Sequence, residues 1–127
     1  MRVMSLRLEL FARDHKALAE FYCRILNFKR SSEERDYIAV QNGGVTLGLG
    51  PQQKLSSTHY FSPDALQGPK GAGVEIVLEV DDIDAAYHRV VDQSYPIQTP
   101  LKERPWGTRD FRIVDPEGYF LRITSRK

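Results

Sequence analysis

The chain has 127 residues, with 18 Lys and Arg against 17 Asp and Glu, so its net charge is +1. A 41% hydrophobic and 28% charged composition is that of a soluble globular chain with material for one domain and one core. The balanced charge gives no reason to expect nucleic acid or an anionic membrane as partner, the single Cys23 excludes an intrachain disulfide, and no apolar run has the length of a membrane span or a signal-peptide core, so a cytoplasmic location is expected.

In chain order, Leu6, Leu8 and Leu10 alternate with Arg7, Glu9 and Phe11, the period of a strand with one packed face. Asp14 then suits the N-cap of a helix whose apolar stripe is Leu18, Phe21, Tyr22, Ile25 and Leu26. Residues 28–31 form the next strand candidate. YIAVQNGGVTLGL, residues 37–49, reads as a hairpin with Gly44 at a turn of positive φ. Residues 51–72 are rich in Gly, Pro and Ser and show no periodicity. A connection longer than about 12–15 residues is usually a lid or a linker. Within it His59, Tyr60 and Phe61 either cover a ligand or pack on the sheet as surface aromatics.

The same order then returns. Val74, Ile76, Leu78 and Val80 alternate with Glu75, Val77 and Glu79. Asp82 precedes a helix with Ile83, Ala86, Tyr87, Val90 and Val91 on one stripe. Residues 96–99 are a strand candidate, and FRIVDPEGYFLRI, residues 111–123, is a second hairpin that aligns without gaps to 37–49, Gly118 falling on Gly44. Each half therefore reads βαβββ. The expectation is an α+β single domain over 1–127, with unit one at 3–50, a linker at 51–72 and unit two at 73–125. Alternation sends Tyr119, Leu121 and Ile123 to the helix side. Phe120, Arg122 and Thr124 go to the other face, as do Arg7, Glu9, Thr46, Gly48, Glu75 and Val77.

ARDHKALAEFYCRILNF near the start and PWGTRDFRIVDPEGYFLRI near the end, set on two βαβββ units, resemble the vicinal oxygen chelate superfamily. That superfamily includes glyoxalase I, extradiol dioxygenases, fosfomycin resistance enzymes and bleomycin resistance proteins. The resemblance implies a curved mixed sheet forming a cup, with the helices outside, a small organic molecule inside and a homodimer as the habitual assembly. Its metal-using members place His, Gln or Glu ligands on the first and last strands of each unit. Those positions fall on Arg7, Gly48, Glu75 and Arg122. Only Glu75 is a ligand type, because Gly48 has no side chain and arginine is a permanently protonated donor. No metal and no cofactor are therefore expected. The nearest members are the metal-free, bleomycin-resistance-like proteins, which sequester a ligand without turnover. Arginines in the cup oppose bleomycin itself, which is a cation.

The resemblance also implies that Arg7, Glu75 and Arg122 converge. Two readings of that cluster stand: a closed ion network around Glu75, or a donor fork for a carboxylate, phosphate or sulfate. Trp106, Phe120, Tyr60 and Phe61 would supply apolar walls. Metal-independent binding of a small molecule is thus the leading expectation. The alternative is an enzyme of the same fold, a lyase, isomerase, epimerase or dioxygenase acting on a small carboxylate or thiolester. There Glu9 is the better general base, because a carboxylate beside arginine, as Glu75 is, is a weak one. A third reading is a structural module whose cup is closed by ion pairs. His15, His59 and His88 read as solvated or packing residues, and Cys23 as packing.

Overall fold

The computed structural model describes residues 3–62 and 66–126, so residues 63–65 of the expected linker lie outside the described residues. The chain divides into two compact units, Met1–Gly68 and Pro69–Lys127. Each is a βαβββ unit with a mixed four-stranded sheet and one helix.

Unit one consists of β1 (Leu8–Ala12), α1 (His15–Leu26), β2 (Lys29–Glu34), β3 (Tyr37–Asn42) and β4 (Val45–Pro51), followed by a single 3-10 turn at Gln52–Lys54. The sheet order is β1-β4-β3-β2, with β1 parallel to β4 and the other pairs antiparallel. Asp14 caps α1 as expected, its carboxylate accepting from the Ala17 amide at 3.0 Å. The helix ends at Asn27, whose φ of 62° is left-handed. Asn42 then donates its side-chain amide to the free carbonyls of Leu26 and Asn27. Leu18, Tyr22 and Ile25 are fully buried with Val40, Leu47 and Leu49 from the sheet. Tyr22 meets Phe21 and Phe28 edge-on, with ring centroids 4.9 and 5.4 Å away. Burial of each such side chain contributes about 1.5–3 kcal/mol.

Unit two repeats the plan with β5 (Glu75–Val80), α2 (Ile83–Asp92), β6 (Thr99–Glu103), β7 (Arg109–Val114) and β8 (Phe120–Ser125), in the order β5-β8-β7-β6. Asp82 caps α2 by accepting from the Ala85 amide at 3.0 Å. Val90, Phe111, Ile113, Leu121 and Ile123 form the core, and Tyr87 stands edge-on to Phe111 at 5.0 Å. Beyond α2, Tyr95 donates its hydroxyl to the Val114 carbonyl, and burial pushes its phenol up to about 12.

Several local expectations are corrected. Leu6 and Val74 are exposed and precede the paired strands, because the parallel ladders begin at Leu8 opposite Leu47 and at Glu75 opposite Phe120. Val91 lies in the last turn of α2 and is exposed. The second strand of unit two is Thr99–Glu103 rather than 96–99. It is an edge strand, and its ladder is irregular between Thr99 and Lys102, around Pro100, which has no amide to donate.

The gapless match of the two hairpins is also one residue out. In unit one Ile38 pairs with Leu49, so a gapless match would pair Arg112 with Ile123; Arg112 instead pairs with Arg122. The turns differ. Gly43 and Gly44 alone join β3 to β4, and the left-handed residue is Gly43, with φ 55°, not Gly44. In unit two Asp115 holds a longer turn, accepting from the amides of Glu117 at 2.9 Å and Tyr119 at 3.0 Å, with Gly118 at φ 103°. A side-chain-bridged turn of this kind sets its own length, and that length shifts the phase of β7.

Candidate functional site

In each unit one sheet face carries the apolar core and the opposite face carries charge. On β1 of unit one, Leu10 and Ala12 are buried, so Glu9 and Phe11 point to the other side. They stand beside Gly48 and Gly50 of β4. Arg7, just before β1, donates from Nε to Glu9 Oε2 at 2.9 Å and from Nη2 to the Tyr37 hydroxyl at 2.6 Å. Tyr37 in turn donates to Glu9 Oε1 at 2.9 Å. Glu9 raises the Arg7 pKa, and burial together with the Glu9 hydrogen bond raises that of Tyr37. The expectation that Glu9 lies clear of arginine, unlike Glu75, is thereby corrected: both of its oxygens are engaged.

A Cβ at Gly48 would collide with the Tyr37 hydroxyl and both Glu9 oxygens. Since these are the tips of flexible side chains, Gly48→Ala is expected to fold and to push the pair aside at a cost of about 1 kcal/mol, one net hydrogen bond. The Tyr37 phenol then returns toward its ordinary range. Ultraviolet titration of the phenolate checks this, and a Tyr37 transition unmoved from wild type would refute the packing.

Further along the same face Phe11 meets His59 at 5.6 Å and Phe61 at 5.7 Å between ring centroids. The Phe61 amide donates to His59 Nδ1 at 2.9 Å. Tyr60 leans on Phe61 at 5.1 Å and is 87% exposed. His59 and Phe61 thus pack on the sheet through Phe11.

In unit two the charged face is built on β5, β8 and β7. Glu75, Val77, Phe120, Arg122, Asp110, Arg112 and Val114 alternate with the buried Ile76, Leu121, Phe111 and Ile113. Arg122 donates from Nε to Glu75 Oε1 at 2.9 Å, and Arg112 Nε lies 3.7 Å from Glu75 Oε2. Asp110, fully buried, accepts from Arg104 Nε at 2.7 Å and stands 3.6 Å from Arg122 Nη1.

The expected site residues therefore divide: Arg7, Glu9, Tyr60 and Phe61 belong to unit one, and Glu75, Trp106, Phe120 and Arg122 to unit two. Glu75 does sit between two guanidinium groups, and these are Arg122 and Arg112. Trp106 is half-exposed in the turn before β7, whereas Phe120 pairs with Val114 at the far end of that strand. Sequence reasoning missed Arg112, Asp110, Arg104 and Tyr37. The signal for the first two was present, since Asp110 and Arg112 alternate with the apolar Phe111 and Ile113. The gapless hairpin match hid it by putting β7 in the wrong phase.

The residues at the family's metal positions do not fit a divalent cation. Both Glu75 oxygens face guanidinium groups, the space over Gly48 is held by Glu9 and Tyr37, and Arg7 and Arg122 are cations. Among the described residues no group of three or more His, Cys, Asp or Glu side chains could hold a metal ion. His59 is bound into the aromatic cluster, His15 is buried at the start of α1, and His88 is exposed on α2. Burial pushes the Cys23 thiol up, which disfavours the reactive thiolate. No described helix is long and apolar enough to cross a membrane.

Two βαβββ units, each with a helix on one sheet face and charged residues on the other, define the paired-βαβββ class of protein. Residues 5–123 match the Glyoxalase/Bleomycin resistance protein/Dioxygenase superfamily, and the chain belongs to it. Among solved structures, a glyoxalase/bleomycin resistance protein/dioxygenase from Nocardioides is similar with a TM-score of 0.77 and 26% identity, over 98% of this chain and 84% of that one. An integron cassette protein from V. cholerae gives 0.74 and 20%, over 100% and 98%. A lactoylglutathione lyase from Agrobacterium tumefaciens gives 0.73 and 17%, over 98% and 95%. The last two likenesses speak for the fold. No protein of curated function matches the chain.

Proposed function

We propose that this chain is a metal-independent small-molecule binding protein of the superfamily, one that sequesters its ligand rather than transforming it. The observation that carries the reading is the state of Glu75. It is the one ligand-type residue at the four metal positions, and its two oxygens are taken up by Arg122 and Arg112. A cation entering there would have to displace two guanidinium groups and then meet their charge.

Support for a ligand comes from the composition of the same face. Val77 and Val114 are 40% and 37% exposed and stand beside Phe120 and the arginines. Apolar surface with a few convergent polar groups is the usual make-up of a small-molecule site. The enzymatic alternative loses its best base, since Glu9 is hydrogen-bonded by Arg7 and Tyr37.

Calorimetric titration of the protein with Ni, Zn, Mn and Fe(II) salts is expected to show no stoichiometric uptake. A fragment screen read by amide NMR shifts is expected to find ligands that perturb the face carrying Glu75 and Arg122. Tight one-to-one binding of any of the metals would overturn the reading.

A further inference from the structure

Arg112 and Arg122 stand directly opposite each other on β7 and β8. Like charges facing each other across a ladder repel. The protein places Glu75 between them, but unequally: Arg122 receives a hydrogen-bonded contact at 2.9 Å and Arg112 only an ion contact at 3.7 Å. Asp110 is shared in the same way between Arg104 and Arg122. Three guanidinium groups thus share two carboxylates, and one positive charge is left over.

The shortfall falls on Arg112. Its guanidinium makes no hydrogen bond to any described residue, and its Nε is buried with only the Glu75 ion contact at 3.7 Å. Arg104 Nη2 and the Thr108 hydroxyl are buried without a hydrogen-bond partner as well. Asp110 Oδ2 also lacks a hydrogen bond, and faces Arg122 Nη1 at 3.6 Å. The Arg112 and Arg122 side chains keep 25% and 21% of their surface, so the outer edges of both forks are open on this face. Val77 is the β5 neighbour of Arg122, while Phe120 and Val114 make up the adjoining row.

We propose that this face takes an organic monoanion, a carboxylate carrying a flat apolar tail. The carboxylate accepts from the free edges of Arg112 and Arg122 and supplies the missing negative charge. The tail lies over Val77, Phe120 and Val114. Planar guanidinium groups match a carboxylate with paired parallel hydrogen bonds, and a desolvated charge with one weak partner gains most from a second. The inference rests on the small-molecule reading above and adds the charge and shape of the ligand.

The test uses three molecules of one shape and different charge: benzoate, benzamide and benzamidinium. Each is titrated into the full chain and followed by amide correlation spectra, with inorganic phosphate as an anion that has no tail. Benzoate is expected to shift the amides of Val77, Arg112 and Arg122 and to bind about tenfold or more tighter than benzamide, the worth of a charged hydrogen bond. Benzamidinium is expected to leave them unmoved. Arg112→Gln removes the preference for benzoate. Arg109→Gln, which alters an arginine paired with Asp84 of α2, retains it. Equal binding of benzamide and benzoate would overturn the anion proposal while leaving the small-molecule reading intact. Phosphate binding as tightly as benzoate would overturn the apolar tail. No response to any of the aromatic molecules would overturn the inference, and the small-molecule reading would then stand or fall on the fragment screen and the metal titration.

Discussion

Glu117→Ala is expected to lower the stability of the protein by about 3–5 kcal/mol, the usual loss when one partner of a buried ion pair is removed. Lys70 Nζ donates to Glu117 Oε1 at 2.6 Å, and the two side chains are only 6% and 5% exposed. The pair ties the segment before β5 to the turn between β7 and β8. Beside it Gly71 adopts φ 64°, and a Cβ there would press on the Tyr119 ring at 3.0 Å. Removing the carboxylate leaves an ammonium group in a site from which water is excluded. The large loss is therefore a desolvation effect more than a measure of what the pair contributes. Replacing both partners by apolar residues of similar size, Lys70→Met with Glu117→Leu, is expected to recover most of the loss. Urea unfolding of the three variants checks this. A single variant within about 1 kcal/mol of wild type would mean that Lys70 reaches solvent.

Phe111→Ala is expected to cost about 3–5 kcal/mol by cavity formation. Phe111 is fully buried, pairs with Ile123 across β7 and β8, and receives the edge of the Tyr87 ring. Helix α2 contributes few other buried side chains, with only Ile83 and Val90 in that class. The ring is thus a large part of what holds this helix to its sheet. It also lies between Asp110 and Arg112 in the chain, whose side chains point to the opposite face. Loss of the ring frees β7 to shift, so binding of an anion on the charged face should weaken together with stability. Phe111→Leu, which keeps most of the volume, is expected to lose far less on both counts. Thermal unfolding and benzoate titration of the two variants give the readouts. A stable Phe111→Ala protein with unchanged ligand binding would show that the two faces of β7 are mechanically independent.

The parts of the fold that the sequence discloses are those enforced over a few residues. Asp14 and Asp82 cap their helices because an Asx side chain reaches an amide three residues on, whatever the rest of the chain does. The stripe of Leu18, Tyr22 and Ile25 is buried because helical spacing puts those residues on one side. Strand alternation set Glu75 and Arg122 on one face, and their contact at 2.9 Å follows from the parallel pairing of β5 with β8. The same local reading fails where length is decided by a turn. One residue of difference between the Gly43–Gly44 turn and the Asp115 turn reverses the phase of β7 relative to its counterpart. With that reversal Arg112 comes to face Arg122, and Phe111 goes into the core.

By itself, then, the sequence determined that the chain holds two βαβββ units with capped amphipathic helices, because covalent spacing and hydrophobic period suffice for that. Only the tertiary structure decided which groups complete each charged face: Tyr37 with Arg7 and Glu9, and Arg112, Asp110 and Arg104 with Glu75 and Arg122. The reason is register. In a sheet, a residue's neighbours across the ladder come from other strands, and a one-residue change in a turn exchanges all of them.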